Sequence, residues 1–172
     1  RPTSAFVGDD WLEVPSDPGI AGNRLTGSAQ SIAVVNSLPV ADTLLNVDVS
    51  SASFPLDAGL VARYQIATGD HYVGRLRRFS SQVGSGAAAE VLRVLGGVTT
   101  VLAPRGPNDA AGRLEFQIVG QQLTLRLDGE PLVLVTDATL AEPGQVGVFA
   151  GQGNKLLEFT ASLNPEPLDA SQ

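Results

Sequence analysis

The chain has 172 residues, 43% of them hydrophobic and 17% charged, which is enough apolar content for the core of one domain and too much for an intrinsically disordered chain. Its 18 acidic and 11 basic residues give a net charge of -7, which argues against nucleic acid as a partner because such a surface needs clustered positive charge. The lack of cysteine excludes disulfides and thiolate metal sites, and no run approaches the roughly 18 to 20 consecutive apolar residues of a membrane-spanning helix.

Arg1 stands where an initiator methionine would. This start reads as a processed mature chain or a piece of a longer one, and a removed signal peptide would place the domain outside the cell, secreted or at the cell surface. One or two strands are expected between Trp11 and Ala33. Leu45, Val47 and Val49 then alternate with Asn46, Asp48 and Ser50, which predicts a half-buried strand over 43–50. Further strands follow over 58–66, 71–79, 88–95 and 98–102, the last two joined by Gly96-Gly97. Arg75, Arg77 and Arg78 lie in one of these strands and read as a solvated edge or a local anion contact.

The stretches Ser80 to Gly86 and Pro104 to Gly112 are small, polar or rich in breakers, and read as surface loops. Leu114, Phe116 and Ile118 alternate with Glu115 and Gln117 in a strand over 113–119, and Gly120-Gln121 turns the chain into 122–127. Asp128-Gly129 is the strongest hairpin signal, since both residue types tolerate the positive φ of a primed two-residue turn into 131–136. Strands over 145–150 and 155–163 close the domain, and Asn164 to Gln172, with Pro165 and Pro167, reads as a tail or linker. About eleven or twelve short strands with period-two patterning predict an all-β fold over 1–163, a two-sheet antiparallel sandwich. Leu45, Val47, Val49, Leu114, Phe116, Ile118, Leu157, Phe159 and Leu163 are its expected core.

The succession Gly59-Leu60-Val61-Ala62-Arg63-Tyr64, His71-Tyr72-Val73, Leu123 to Gly129, Val135-Thr136-Asp137 and Pro143 to Gly147 resembles the concanavalin A-like, laminin-G-type jelly-roll domains of bacterial extracellular proteins. The resemblance covers roughly residues 40 to 163. It implies a jelly roll and a non-catalytic recognition or adhesion module whose partner is a glycan or a surface protein. The alternative it leaves open is a structural, self-associating subunit or repeat module of an extracellular filament, coat or large adhesin, which the low aromatic content favours. It also implies a structural calcium ion held by oxygen donors of the opening segment and the closing strand. Glu158 stands where the family pattern often has aspartate, with Asp9 and Asp10 as its expected partners.

No Glu-x-Asp-x-Glu segment is present to supply the paired carboxylates of a glycosidase. His71 is the only histidine and no G-x-S-x-G elbow occurs, so a serine triad has little to rest on. The chain is therefore read as not an enzyme, with His71 a strand-start residue beside Tyr72. For a glycan, the candidate contacts are Trp11, Arg63, Tyr72 and Arg75, with Tyr64 beside them, since sugars stack on aromatic rings and accept hydrogen bonds from planar side chains. If Leu60, Ala62 and Tyr64 point inward, Arg63 and Arg75 fall on outward positions of neighbouring strands.

Overall fold

The structure, a computed structural model, describes residues 11–13, 18–20, 25–27, 31–36, 39–50, 55–81, 84–106, 111–151 and 154–163. Every regular element among them is a strand: β1 (Trp11–Glu13), β2 (Pro18–Ile20), β3 (Leu25–Gly27), β4 (Ser31–Val35), β5 (Thr43–Val49), β6 (Leu56–Tyr64), β7 (His71–Ser81), β8 (Gly84–Leu95), β9 (Val98–Arg105), β10 (Gly112–Val119), β11 (Gln122–Leu127), β12 (Glu130–Thr136), β13 (Gln145–Ala150) and β14 (Lys155–Leu163). They form two seven-stranded antiparallel sheets, ordered β1-β4-β13-β6-β7-β8-β9 and β12-β11-β10-β5-β14-β3-β2. This is the expected two-sheet sandwich with jelly-roll connections.

The hairpins follow from turn chemistry. Asp128 and Gly129 have φ of 50° and 82°, and Gly96 and Gly97 have φ of 57° and 78°, so both turns place two consecutive residues in the left-handed region, as the right-handed twist of paired strands favours. The expected loop over Ser80 to Gly86 is instead largely hairpin, because β7 and β8 stay in register out to Ser81 opposite Gly84. Small residues do not break a strand whose backbone keeps its ladder. Likewise β9 runs to Arg105 and β10 begins at Gly112, which shortens the second expected loop. The tail from Asn164 lies outside the described residues.

The core forms where the alternating faces of the two sheets meet. Leu45, Phe116 and Leu125 stand side by side on β5, β10 and β11 and are fully buried. Tyr72, Leu76, Ala89 and Val91 of the first sheet pack in the same cluster. Gly74 makes room for this contact: a Cβ there would come within 2.7 Å of Leu125 Cδ1 and 2.8 Å of the Phe116 ring.

Two bulges change which residues face the core. On β14, Leu157 pairs with Asp48 and Thr160 with Asn46, so Glu158 and Phe159 together oppose Val47, with Glu158 at φ 51°. The inward parity therefore switches along the strand: Leu156, 3% exposed, is the core residue before the bulge and Phe159 packs on the core after it. This corrects the expected burial of Leu157, while the side chain of Leu163 lies outside the described residues. On β6, Val61 pairs with Gly147 and Tyr64 with Gln145. Ala62 and Arg63 thus oppose one residue, and Arg63 is at φ 51°. A bulge of this kind adds one residue to one strand and re-aims the side chains beyond it.

Candidate functional site

The β6 bulge decides the fate of two expected contacts. Arg63 turns into the end of the sandwich, where it is 2% exposed. Its guanidinium donates to the carbonyls of Ala41 at 2.9 Å, Leu140 at 2.7 Å and Gly120 at 2.6 Å, and Asp42 lies 3.5 Å away. It ties together three separate connections. Gly144 is needed beside it, because a Cβ there would stand 2.4 Å from the Arg63 carbonyl carbon. Arg63 is accordingly corrected from an outward ligand contact to an internal brace.

Tyr72 is corrected in the same way. It lies fully buried on the core side of β7, and its hydroxyl donates to Asp137 at 2.5 Å and accepts from the Leu140 amide at 3.1 Å. Burial, reinforced by Asp137, pushes its pKa up to about 12. Asp137 also takes Arg93 at 2.6 Å. Burial acts to raise the Asp137 carboxyl, but the hydrogen bonds of Tyr72 and Thr139 and the Arg93 charge outweigh it and leave the pKa lowered.

Tyr64, displaced by the bulge, joins the opposite face of the first sheet. There Val34, Val61, Tyr64, Val73, Leu92 and Phe149 form a second buried apolar cluster. Across this outer face runs a cleft of about 400 Å³ lined by Ile32, His71, Val73, Arg75, Leu92, Val94, Thr99 and Phe149, at the lower end of the size range of ligand pockets. Its lining comes from β4, β7, β8, β9 and β13, so it lies across the strands.

Arg75 is the charged member of the lining, and its surroundings hold it still. Nε and Nη2 reach Glu90 at 2.8 Å and 2.7 Å, and Nη1 reaches Asp57 at 3.2 Å. Arg75 sits directly opposite Glu90 on β8. Asp57 faces Arg77 across β6 and β7 and reaches Arg75 on the diagonal, as cross-strand neighbours do. Burial raises the Asp57 carboxyl above its usual range, against the lowering by Arg75 and Arg77. Sequence patterning did not single out Asp57 and Glu90. Opposite charges at outward positions of adjacent strands were the available signal, and only the register puts them in contact.

His71 begins β7 after a tight turn in which Gln65 receives the Gly69 amide at 2.7 Å. Its Nδ1 lies 2.7 Å from the Gly69 carbonyl. A carbonyl can only accept, so Nδ1 carries the proton and Nε2 is the acceptor of the neutral ring. Burial lowers the His71 pKa despite the Gly69 and Asp70 oxygens. The ring lies 5.2 Å from that of Tyr64.

Of the four expected glycan contacts, then, Arg75 lines the cleft, Arg63 and Tyr72 brace the sandwich end, and Trp11 sits in β1 opposite Val35, its side chain outside the described residues. The expected calcium donors are not brought together among the described residues, which contain no group of three or more histidine, cysteine, aspartate or glutamate side chains able to hold a metal ion. Glu158 is exposed, and Asp9 and Asp10 lie outside those residues.

No protein-family model matches the chain, and no curated protein matches it in sequence. Solved structures do match in shape. The carbohydrate-binding module CBM66 from Bacillus subtilis superposes with a TM-score of 0.70 at 13% identity, over 89% of this chain and 95% of that one. The GH43 protein BlXynB from Bacillus licheniformis gives 0.61 at 18% identity, over 92% of this chain but 37% of the longer one. A legume lectin-like domain from Entamoeba histolytica gives 0.58 at 9% identity, over 91% of each. The shared fold is a two-sheet antiparallel jelly roll of the concanavalin A-like type.

Proposed function

We propose that this domain is a non-catalytic, extracellular recognition module that takes a saccharide in the outer-face cleft. The observation that carries the reading is the composition of that cleft: an apolar floor of Val73, Leu92, Val94 and Phe149 beside Arg75, His71 and Thr99. A sugar ring needs this combination, because its C–H faces pack on apolar surface while its hydroxyls need a few fixed donors and acceptors. The similarity in shape to a carbohydrate-binding module and a lectin-like domain supports the reading. So does the engagement of Asp57 and Glu90 with Arg75, which commits both carboxylates beside the cleft to a structural pair instead of proton transfer. Glycan-array screening followed by calorimetry tests it, with Thr99→Arg as the blocking variant, since Thr99 is an exposed cleft residue. Binding by the wild type and its loss in the variant at unchanged melting temperature are expected; absence of binding to any saccharide would overturn the reading.

A structural, self-associating role has one observation in its favour. β9 is a sheet edge that carries no charge from Val98 to Pro104, with Val98 67% and Val101 48% exposed, whereas edge strands are commonly protected by charge. Light scattering across a concentration series distinguishes the two: ordered oligomers without saccharide binding support assembly, and a binding monomer supports recognition.

A further inference from the structure

We infer that the cleft selects an uncharged, hydroxyl-bearing saccharide and rejects an anionic one, because its arginine arrives already paired with two carboxylates. The inference rests on the proposed saccharide function and names the ligand class of the same site.

Arg75 is the charged residue of the lining. An unpaired arginine in an apolar cleft would be a strong anion site, since its planar fork matches a carboxylate or sulfate with two parallel hydrogen bonds. Here the charge is already engaged. Nε and Nη2 share the Glu90 carboxylate and Nη1 holds Asp57. With Asp57 and Glu90 ionised, the three groups together carry one net negative charge, balanced by Arg77 on the same face of β7. An incoming anion would add a third negative charge beside Asp57 and Glu90, the latter 9% exposed, and would have to compete with both for the one guanidinium that offsets them. A cation fares no better, because the guanidinium, not either carboxylate, lines the cleft.

A guanidinium has five N–H bonds, and among the described residues these contacts occupy three, so its terminal nitrogens keep donor capacity. Around it stand Thr99, whose hydroxyl both donates and accepts, and His71, which burial keeps neutral and whose Nε2 accepts. A set of donors and acceptors without net charge suits neighbouring sugar hydroxyls, each of which does both.

The test compares neutral oligosaccharides with uronic and sulfated ones of matched backbone, by calorimetry at low and high salt. Wild-type protein is expected to bind the neutral ligand with an affinity that salt changes by less than about twofold, and the anionic counterpart about tenfold more weakly or worse. The Asp57→Asn/Glu90→Gln protein, and the milder Glu90→Gln alone, are expected to raise anionic over neutral affinity by about tenfold and to make anionic binding salt-sensitive. A wild type that prefers the anionic ligand, or a folded Glu90→Gln variant with an unchanged preference, overturns the inference and leaves the saccharide reading standing. Failure to bind either class overturns that reading first. The wild-type comparison needs no variant to fold.

Discussion

Replacing Arg63 by alanine removes three hydrogen bonds at once, to Ala41, Leu140 and Gly120, from a side chain that is 2% exposed. Hydrogen bonds to charged groups contribute roughly 1.5 to 3 kcal/mol each, and a buried acceptor left without a partner bears the full desolvation penalty. Three such losses, reduced by water entering the vacated end of the sandwich, come to about 4 kcal/mol. Against domain stabilities of about 5 to 15 kcal/mol that is a large share, and for a chain of this length it lowers the melting temperature by about 8 to 16 °C. A glycine variant separates bonding from backbone strain. Arg63 has φ 51°, where a Cβ costs about 1 to 2 kcal/mol. Arg63→Gly loses the same hydrogen bonds as Arg63→Ala but sheds that strain, so it should be the more stable of the two by up to about 1 kcal/mol. Urea titration with an unchanged slope is the assay. A loss below about 1 kcal/mol in Arg63→Ala would refute the bracing role, and a glycine variant clearly less stable than alanine would refute the bulge geometry.

Phe116→Ala empties the contact between Gly74 and the second sheet, and about 3 to 5 kcal/mol of stability should go with it; a change within about 1 kcal/mol would mean that this ring is not part of the core. The depressed pKa of His71 means that below its ordinary value of 6.5 the unfolded chain takes up the proton first. Its contribution to stability is therefore complete above that pH and is lost as the pH falls through the folded-state value. Between about pH 7.5 and 5.5 the wild type should lose melting temperature relative to His71→Gln, and parallel profiles would show that the ring is not held neutral by burial. A structural calcium ion on Glu158 with Asp9 or Asp10 requires the melting temperature to fall on chelation, on the order of 3 kcal/mol of stability when free calcium is a hundredfold above its dissociation constant. Equal melting with chelator and with calcium would remove that site.

Period-two patterning and turn chemistry are local, and for that reason the strands over Thr43–Val49, Gly112–Val119 and Gln122–Leu127, with their inward Leu45, Phe116 and Leu125, were legible in the linear chain, as was the Asp128-Gly129 turn. A jelly-roll sandwich follows from enough such segments with no competing helical period. The cleft was not legible, because its lining joins Arg75 and Thr99 of the consecutive strands β7 to β9 to Ile32 of β4 and Phe149 of β13, which come from distant parts of the chain, and the Asp57–Arg75–Glu90 contact exists only once β6, β7 and β8 are in register. The errors at Arg63, Tyr64 and Leu157 have one physical cause. A strict alternation assigns faces correctly only while the ladder is regular, and at Arg63 and Glu158 one residue per strand enters the left-handed region and shifts the parity of the residues beyond it. Neither arginine nor glutamate announces that conformation. Tertiary packing imposes it, and at β6 the hydrogen bonds that Arg63 gains from three connections offset the strain.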